Sequence, residues 1–250
     1  MRLSTLPLLG AFALTFAAAG PAAPPDPLAG ATQAVLVTTA GWDSVPGTLR
    51  RYERAALGKP WLAVGAPIPV VVGKGGLGWG IGLHGGPPDR PGPRKREGDG
   101  KAPAGVFRIG SAFGYAPAAE HPWIRLPYIH STASWKCVDD PASRHYNQVL
   151  DETGVKKDWS SHEDMRLEGE AYRLGAIVEH NWGKSTRPSA GSCIFLHIWD
   201  GPASSTVGCT AMAPADLEAL LRWLDPRRRP VLVQLPREQY DALRAEWRLP

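Results

Sequence analysis

Two residues near the C-terminal end have the types and spacing to do chemistry together. In Gly191-Ser192-Cys193-Ile194-Phe195-Leu196-His197-Ile198-Trp199-Asp200, a period of two puts Ile194, Leu196 and Ile198 on one face of a strand. Cys193, Phe195, His197 and Trp199 then share the other. Gly201-Pro202-Ala203-Ser204-Ser205 has a turn composition and leads into Thr206-Val207-Gly208-Cys209-Thr210. If the chain reverses near Ala203, a hairpin sets the His197 imidazole beside the Cys209 thiol. An adjacent imidazolium lowers a thiol pKa from its free value of about 8.5, and the thiolate is the nucleophile. Gly208 leaves room for a carbonyl to approach the backbone. The amides around Cys209 would then form an oxyanion hole worth roughly 3 kcal/mol per donor. The same spacing also fits a buried cysteine and histidine with only structural duties, and spacing alone leaves both readings open.

Other motifs fail on their surroundings. Gly73-Lys74-Gly75-Gly76-Leu77-Gly78 matches a dinucleotide fingerprint, but Trp79-Gly80-Ile81-Gly82 is a poor helix start. Gly183-Lys184-Ser185 resembles the end of a phosphate-binding loop, yet Val178 stands where its first glycine belongs. No S-x-x-K, G-x-S-x-G, H-E-x-x-H or C-x-x-C occurs, so serine acyl-transfer and zinc motifs lack support and neither metal nor cofactor is expected. A net charge of +4 over 28 basic and 24 acidic residues leaves no nucleic-acid footprint. The one basic cluster, Arg94-Lys95-Arg96, reads as a solvated loop.

The elements that must position the pair follow from composition and pattern. With 43% apolar and 21% charged residues the chain is an ordinary globular one, and 28 Gly with 25 Pro favour a turn-rich sheet protein over a helical bundle. Arg2, the apolar run Leu6 to Ala19 and the small residues Ala17 to Ala23 describe a signal peptide over residues 1–23. A Pro/Ala linker at 24–30 follows, and folding is expected to start near residue 31. Strand patterns cover 34–39, 68–72, 106–109, 177–179, 193–199 and 231–235, with Pro69 confined to a strand start or sheet edge. Residues 139–175 turn charged and aromatic, and Ser160 with Glu163 has capping-box spacing, so a helical insertion or lid is expected there. Leu217, Leu220, Leu221 and Leu224 recur at helical spacing before Asp225-Pro226, and Tyr240, Leu243 and Trp247 mark a final helix within 237–250. No linker divides residues 31–236.

His197 followed by Thr206-Val207-Gly208-Cys209 resembles the motif of the L,D-transpeptidase catalytic domain family (YkuD type). Further similarity lies in Glu97 to Phe107, Cys137 to Pro141, Tyr146-Asn147, Asp158-Trp159-Ser160 and Gly191 through Met212. It points to an exported branch with a short His-to-Cys loop. The resemblance implies a mainly β, single-domain sandwich or barrel with no cofactor. Its Cys209 would attack the peptide bond after the third residue of a peptidoglycan tetrapeptide stem, releasing D-Ala and passing the acyl group to an amine acceptor. His197 becomes the general base and acid, and Gly208 and Thr210 the oxyanion site and site wall. A carbapenem is the expected covalent inhibitor. Where the family pattern has a second His and an Asn or Arg, this chain has Val207 and Ala211. Asn181, Lys184 and Arg187 are therefore candidate substitutes for binding the donor stem, with Trp199 and Thr206 as further groove candidates. Asp139, Asp140, Asp158, Glu163 and Asp164 read as helix caps and solvated charges, or as partners for a diaminopimelate amine.

Three thiols leave one unpaired whatever disulfide forms. Only Cys209 has a nucleophile's context, so Cys137 and Cys193 are the expected pair in an oxidising compartment. The whole describes a monomeric enzyme expected in the periplasm or cell wall, with no nucleic-acid partner. A carboxypeptidase or endopeptidase using water, and a non-catalytic wall-binding protein, are the alternatives. Amino-terminal sequencing of exported protein should find a start between Gly20 and Pro25, whereas an intact Met1 in a membrane fraction would make the apolar run an anchor.

Overall fold

The computed structural model describes residues 26–86 and 89–250, so the leader expected at 1–23 lies outside the described residues. Among the described residues thirteen strands form: β1 (Gln33–Thr39), β2 (Pro46–Glu53), β3 (Leu62–Val71), β4 (Leu77–Trp79), β5 (Ala102–Gly114), β6 (Tyr128–His130), β7 (Trp135–Val138), β8 (Val149–Asp151), β9 (His162–Asp164), β10 (Leu174–Val178), β11 (Phe195–Ile198), β12 (Thr210–Met212) and β13 (Val231–Pro236). Helices α1 (Pro214–Trp223) and α2 (Arg237–Leu243) follow β12 and β13.

Continuous apolar runs mark the strands covered on both faces. Ala34 to Val37 of β1 and all of β13 are buried, and the two strands pair in parallel with Val35 opposite Leu232. From that centre the hydrogen-bonded order is β10-β11-β12-β3-β2-β1-β13-β5, and β5 pairs back onto β10. The sheet closes into a barrel, which removes its exposed edges. The long β5 makes closure possible by serving β13 through Gly105–Arg108 and β10 through Ile109–Gly114. A register shift between Ala176 and Val178 of β10 supplies the bend. Pro69 sits inside β3 opposite Thr48; on the other side β12 meets β3 only at Val71, so the missing N–H costs no ladder bond.

Helix α1 forms where the leucine spacing places it, with Pro214 in the first turn and Leu217, Leu220 and Leu221 buried. The C-terminal helix is shorter than expected. It ends at Leu243, and Trp247 and Leu249 reach the core from the turns that follow.

Three expectations change. Residues 139–175 contain no α-helix; β7 is flanked by β8 and β9 in a small antiparallel sheet, with one 3-10 turn at Glu152–Gly154. The capping box fails because Asp140 takes both the Ser160 N–H (2.8 Å) and its hydroxyl (2.7 Å), while Glu163 pairs in β9 opposite Cys137. The stretch read as a linker belongs to the domain from residue 26 onward. Leu28 is fully buried, and Arg54 donates to the Leu28 (3.0 Å) and Ala31 (2.8 Å) carbonyls. Finally, Lys95 is not solvated but buried, with Nζ 2.6 Å from Asp99.

His180 is buried edge-on against Phe107. Its Nδ1 accepts from Ile81 N–H (3.2 Å) and its Nε2 donates to the Ala190 carbonyl (3.0 Å), so the ring is neutral. Burial pushes its pKa down to about 3. The unfolded chain therefore binds a proton that the folded chain refuses, and stability is lost as pH falls below about 6.5. Between pH 7 and 4.5 this one group should cost on the order of 2–3 kcal/mol. Denaturant titrations should show the parent losing that much more stability than His180→Gln over the interval. An equal loss in both proteins would assign the acid sensitivity elsewhere.

Candidate active site

The imidazole and thiol reach one side of the sheet by a route the hairpin reading did not foresee. Strands β11 and β12 are parallel, with His197 opposite Ala211 and Leu196 opposite Thr210. Parallel neighbours need a crossover, not a tight turn. Gly201 to Ser204 does turn, but the chain then runs to the end of β3, where Thr206 N–H donates to Val72 (3.1 Å) and Lys74 N–H to Thr206 (2.8 Å). Cys209 enters β12 from there. The Thr206 hydroxyl donates to the Cys209 carbonyl (2.7 Å) and accepts from Gly208 N–H (3.1 Å), clamping the backbone around the thiol. A Cβ on Gly208 would stand 3.2 Å from the Lys101 carbonyl and 3.3 Å from Ile194, at φ +156°.

The Cys209 thiol is 3% exposed. Its sulfur accepts from Phe195 N–H at 3.3 Å and donates toward the Cys193 carbonyl at 3.5 Å. The Tyr172 hydroxyl lies against the same sulfur and donates to the Glu163 carboxylate. Burial, reinforced by Glu163, pushes the thiol pKa well up, so the resting sulfur carries its proton.

His197 is 9% exposed. Its Nδ1 stands 2.8 Å from the Ile198 carbonyl. A carbonyl can only accept, so Nδ1 carries the proton and Nε2 keeps a lone pair. Burial lowers the imidazole's pKa, which keeps it neutral. The Tyr172 ring packs edge-on to it with centroids 5.2 Å apart. Tyr172 thus touches both members of the pair, and among the described residues no hydrogen bond joins His197 directly to the sulfur.

A disulfide fastens the other flank. Cys137 of β7 and Cys193 are bonded with Cα atoms 5.8 Å apart, and Cys209 is the free cysteine. These three pack in one buried cluster with Phe113, Tyr172 and Phe195. Cys193 adopts a left-handed φ of 55°, and the Asn147 side chain holds it there by accepting the Cys193 N–H at 3.0 Å. Asn147 also donates to the His180 and Asn181 carbonyls. Glu97 accepts from Tyr146 and, at 2.7 Å, from Ser192.

The remaining candidates separate. Asn181 is fully buried, and its amide is committed to Arg187 N–H, the Arg187 carbonyl and the Gly191 carbonyl, so it shapes a loop and leaves nothing for a substrate. Lys184 and Arg187 are exposed on that loop and make none of the contacts at the sulfur. Trp199 is half-buried, its N–H given to Met212. The Thr210 side chain turns away from Cys209 and donates to buried Gln234 at 2.7 Å, so it is no site wall. Gly208 N–H, held by Thr206, is likewise spoken for in this state as an oxyanion donor. No signal in the sequence singles out Tyr172, and Glu163 reads there as a cap, a solvated charge or an amine partner; no local spacing relates either to Cys209. Val207, where the family pattern has histidine, is 69% exposed. Among the described residues no group of three or more His, Cys, Asp or Glu is placed to hold a metal ion.

A family model described as the L,D-transpeptidase catalytic domain (YkuD) matches residues 46–233. No curated protein and no solved structure matches the chain.

The linkage of Cys137 to Cys193 closes a loop spanning 56 residues, worth about 4 kcal/mol in the chain-entropy account. Thiol labelling of the denatured, unreduced protein should modify Cys209 alone. Three labelled cysteines, or protection of Cys209, would contradict this arrangement.

Proposed function

The chain belongs to the L,D-transpeptidase catalytic domain (YkuD) family, and on that premise we propose that it is an exported cysteine acyltransferase working on peptidoglycan stem peptides. One observation carries the reading. The free thiol among the described residues is clamped by Thr206 and faced by a backbone N–H, on the side of the sheet where a neutral imidazole keeps an open Nε2.

Cys209 Sγ attacks the carbonyl of the third stem residue, and the terminal D-Ala departs as an amine. An amine of a second stem then attacks the thioester and restores the thiol. The sulfur loses a proton in the first half and regains one in the second; the departing nitrogen gains one and the entering amine loses one. His197 Nε2 takes the sulfur's proton and passes it to the departing nitrogen, then takes the entering amine's proton and returns it to sulfur, while Nδ1–H stays tied to the Ile198 carbonyl and fixes the ring. The Phe195 N–H, which faces sulfur at 3.3 Å, strengthens its bond as charge develops there. Exposed Val207 offers the donor stem an apolar contact where relatives of the common pattern offer an imidazole.

Cys209→Ala should abolish turnover of a tetrapeptide-bearing muropeptide. His197→Gln should fold with a melting temperature near the parent's and slow turnover by roughly 10²- to 10⁴-fold. If His197→Gln melts early yet turns over at the parental rate per folded molecule, His197 is a packing residue and the proposed role falls.

A further inference from the structure

Strand β5 changes partners near its middle, and the change leaves a gap in the sheet. Its pairing with β13 ends at Arg108 opposite Val231, with Ile109 N–H still donating to the Pro230 carbonyl at 3.1 Å. Pairing with β6 starts only at Ala112, whose N–H donates to the Pro127 carbonyl at 2.8 Å. Gly110 and Ser111 stand opposite no residue of β13, β10 or β6. A cavity of about 530 Å³ opens at this break. It shares no residue with the contacts of Cys209 Sγ or the His197 ring.

Four polar side chains line the cavity, Arg108, Ser111, Glu179 and Arg229, and among the described residues none of them has a hydrogen-bond or ion-pair partner. Their neighbours in sequence differ. Arg227 is held by Asp225 at 2.6 Å and Arg228 by Glu53 at 2.7 Å, which leaves Arg229 as the free cation of that turn. Glycines seat two of the four. A Cβ on Gly30 would stand 2.8 Å from Arg229 Nη1, and one on Gly110 would stand 3.0 Å from Glu179 Oε1, so both side chains lie across bare backbone. Arg229 does so from a left-handed φ of 48°, a conformation that costs an arginine energy. Glu179 is half-buried, and burial raises its carboxyl pKa against the attraction of Arg108, which acts on it without forming an ion pair. Leu83, Ile109, Leu126 and Val231 add apolar wall.

From this cavity we infer a second binding site, built for a short peptide with free ends: the carboxylate on Arg108 and Arg229, the amine on Glu179, and apolar side chains against the wall. Ser111 is left to meet an amide. Two cations and one carboxylate in a single enclosure match a ligand that carries both signs. A fatty acid would satisfy the arginines but lay hydrocarbon on Glu179, and a bare phosphate would leave the apolar wall uncovered. The volume lies in the range of roughly 300–1,000 Å³ typical of small-ligand sites. Nothing in this assignment depends on Cys209 being a nucleophile.

Isothermal titration calorimetry of the full chain with trileucine, N-acetyl-trileucine and trileucine amide tests the site. Trileucine should bind the parent and Cys209→Ala equally. Blocking either end should weaken binding to the parent by about tenfold, the usual worth of a hydrogen bond to a charged group. Arg229→Gln should weaken trileucine by the same factor yet leave the amide's affinity unchanged, and Glu179→Gln should do likewise for trileucine and its N-acetyl form. Neither side chain has a partner to lose, so both variants should melt with the parent. No binding of millimolar trileucine, equal affinity for the three peptides, or variant losses that ignore which end is blocked would overturn the site. Binding lost in Cys209→Ala would move the peptide to the acyl-transfer centre and overturn it as well.

Discussion

Strands that run the same way cannot be joined by a tight turn, and β11 and β12 run the same way. The segment between Ile198 and Thr210 therefore has to leave the sheet and come back. Its return path is pinned to the end of β3 at Val72 and Lys74, and Thr206 then fixes the carbonyl of Cys209. Everything at the site follows from this crossover. It brings the thiol to Phe195 N–H, to the Cys193 carbonyl and to the Tyr172 hydroxyl, while the neighbouring strand presents His197 to the same tyrosine ring. The disulfide to Cys137 ties the small sheet of β7, β8 and β9 to the strand leading into β11, and so delivers Glu163 beneath Tyr172.

Burial then decides the charge states. His197 is held neutral, the thiol is held protonated, and Glu163 is held near the middle of the pH scale, each chiefly by desolvation. A thiolate–imidazolium pair is therefore not the resting state of this pocket. On the proposed reading, activation requires the thiol proton to move inside the enclosure, and an arriving substrate that displaces water favours such movement over loss to solvent.

The proposed catalytic pair was legible because its types are rare and its neighbours specific: a histidine inside an apolar strand, and a cysteine preceded by glycine. Barrel strands and α1 were legible because apolar runs and leucine spacing survive packing. Strand direction was not. Alternation says which face a side chain takes, and it is silent on whether the next strand runs parallel, so the turn-rich Gly201 to Ser205 suggested a hairpin. The false helix in 139–175 has a similar origin, since Ser160 and Glu163 have capping spacing but Asp140 competes for the serine. Asn181 looked available as a binding group because nothing local reveals that a distant loop consumes its amide. Tyr172 and Glu163 are joined to Cys209 only by tertiary packing, which leaves no signature in spacing.

The central claim is that Cys209 is the nucleophile of an acyl-transfer site. Intact mass spectrometry of the disulfide-bonded chain after incubation with a carbapenem, with peptide mapping of the adduct, tests it most directly. One equivalent of drug bound as an acyl adduct at Cys209, with Cys137 and Cys193 still linked, is the predicted result. An unmodified chain, or an adduct mapped to any other residue, would contradict the account.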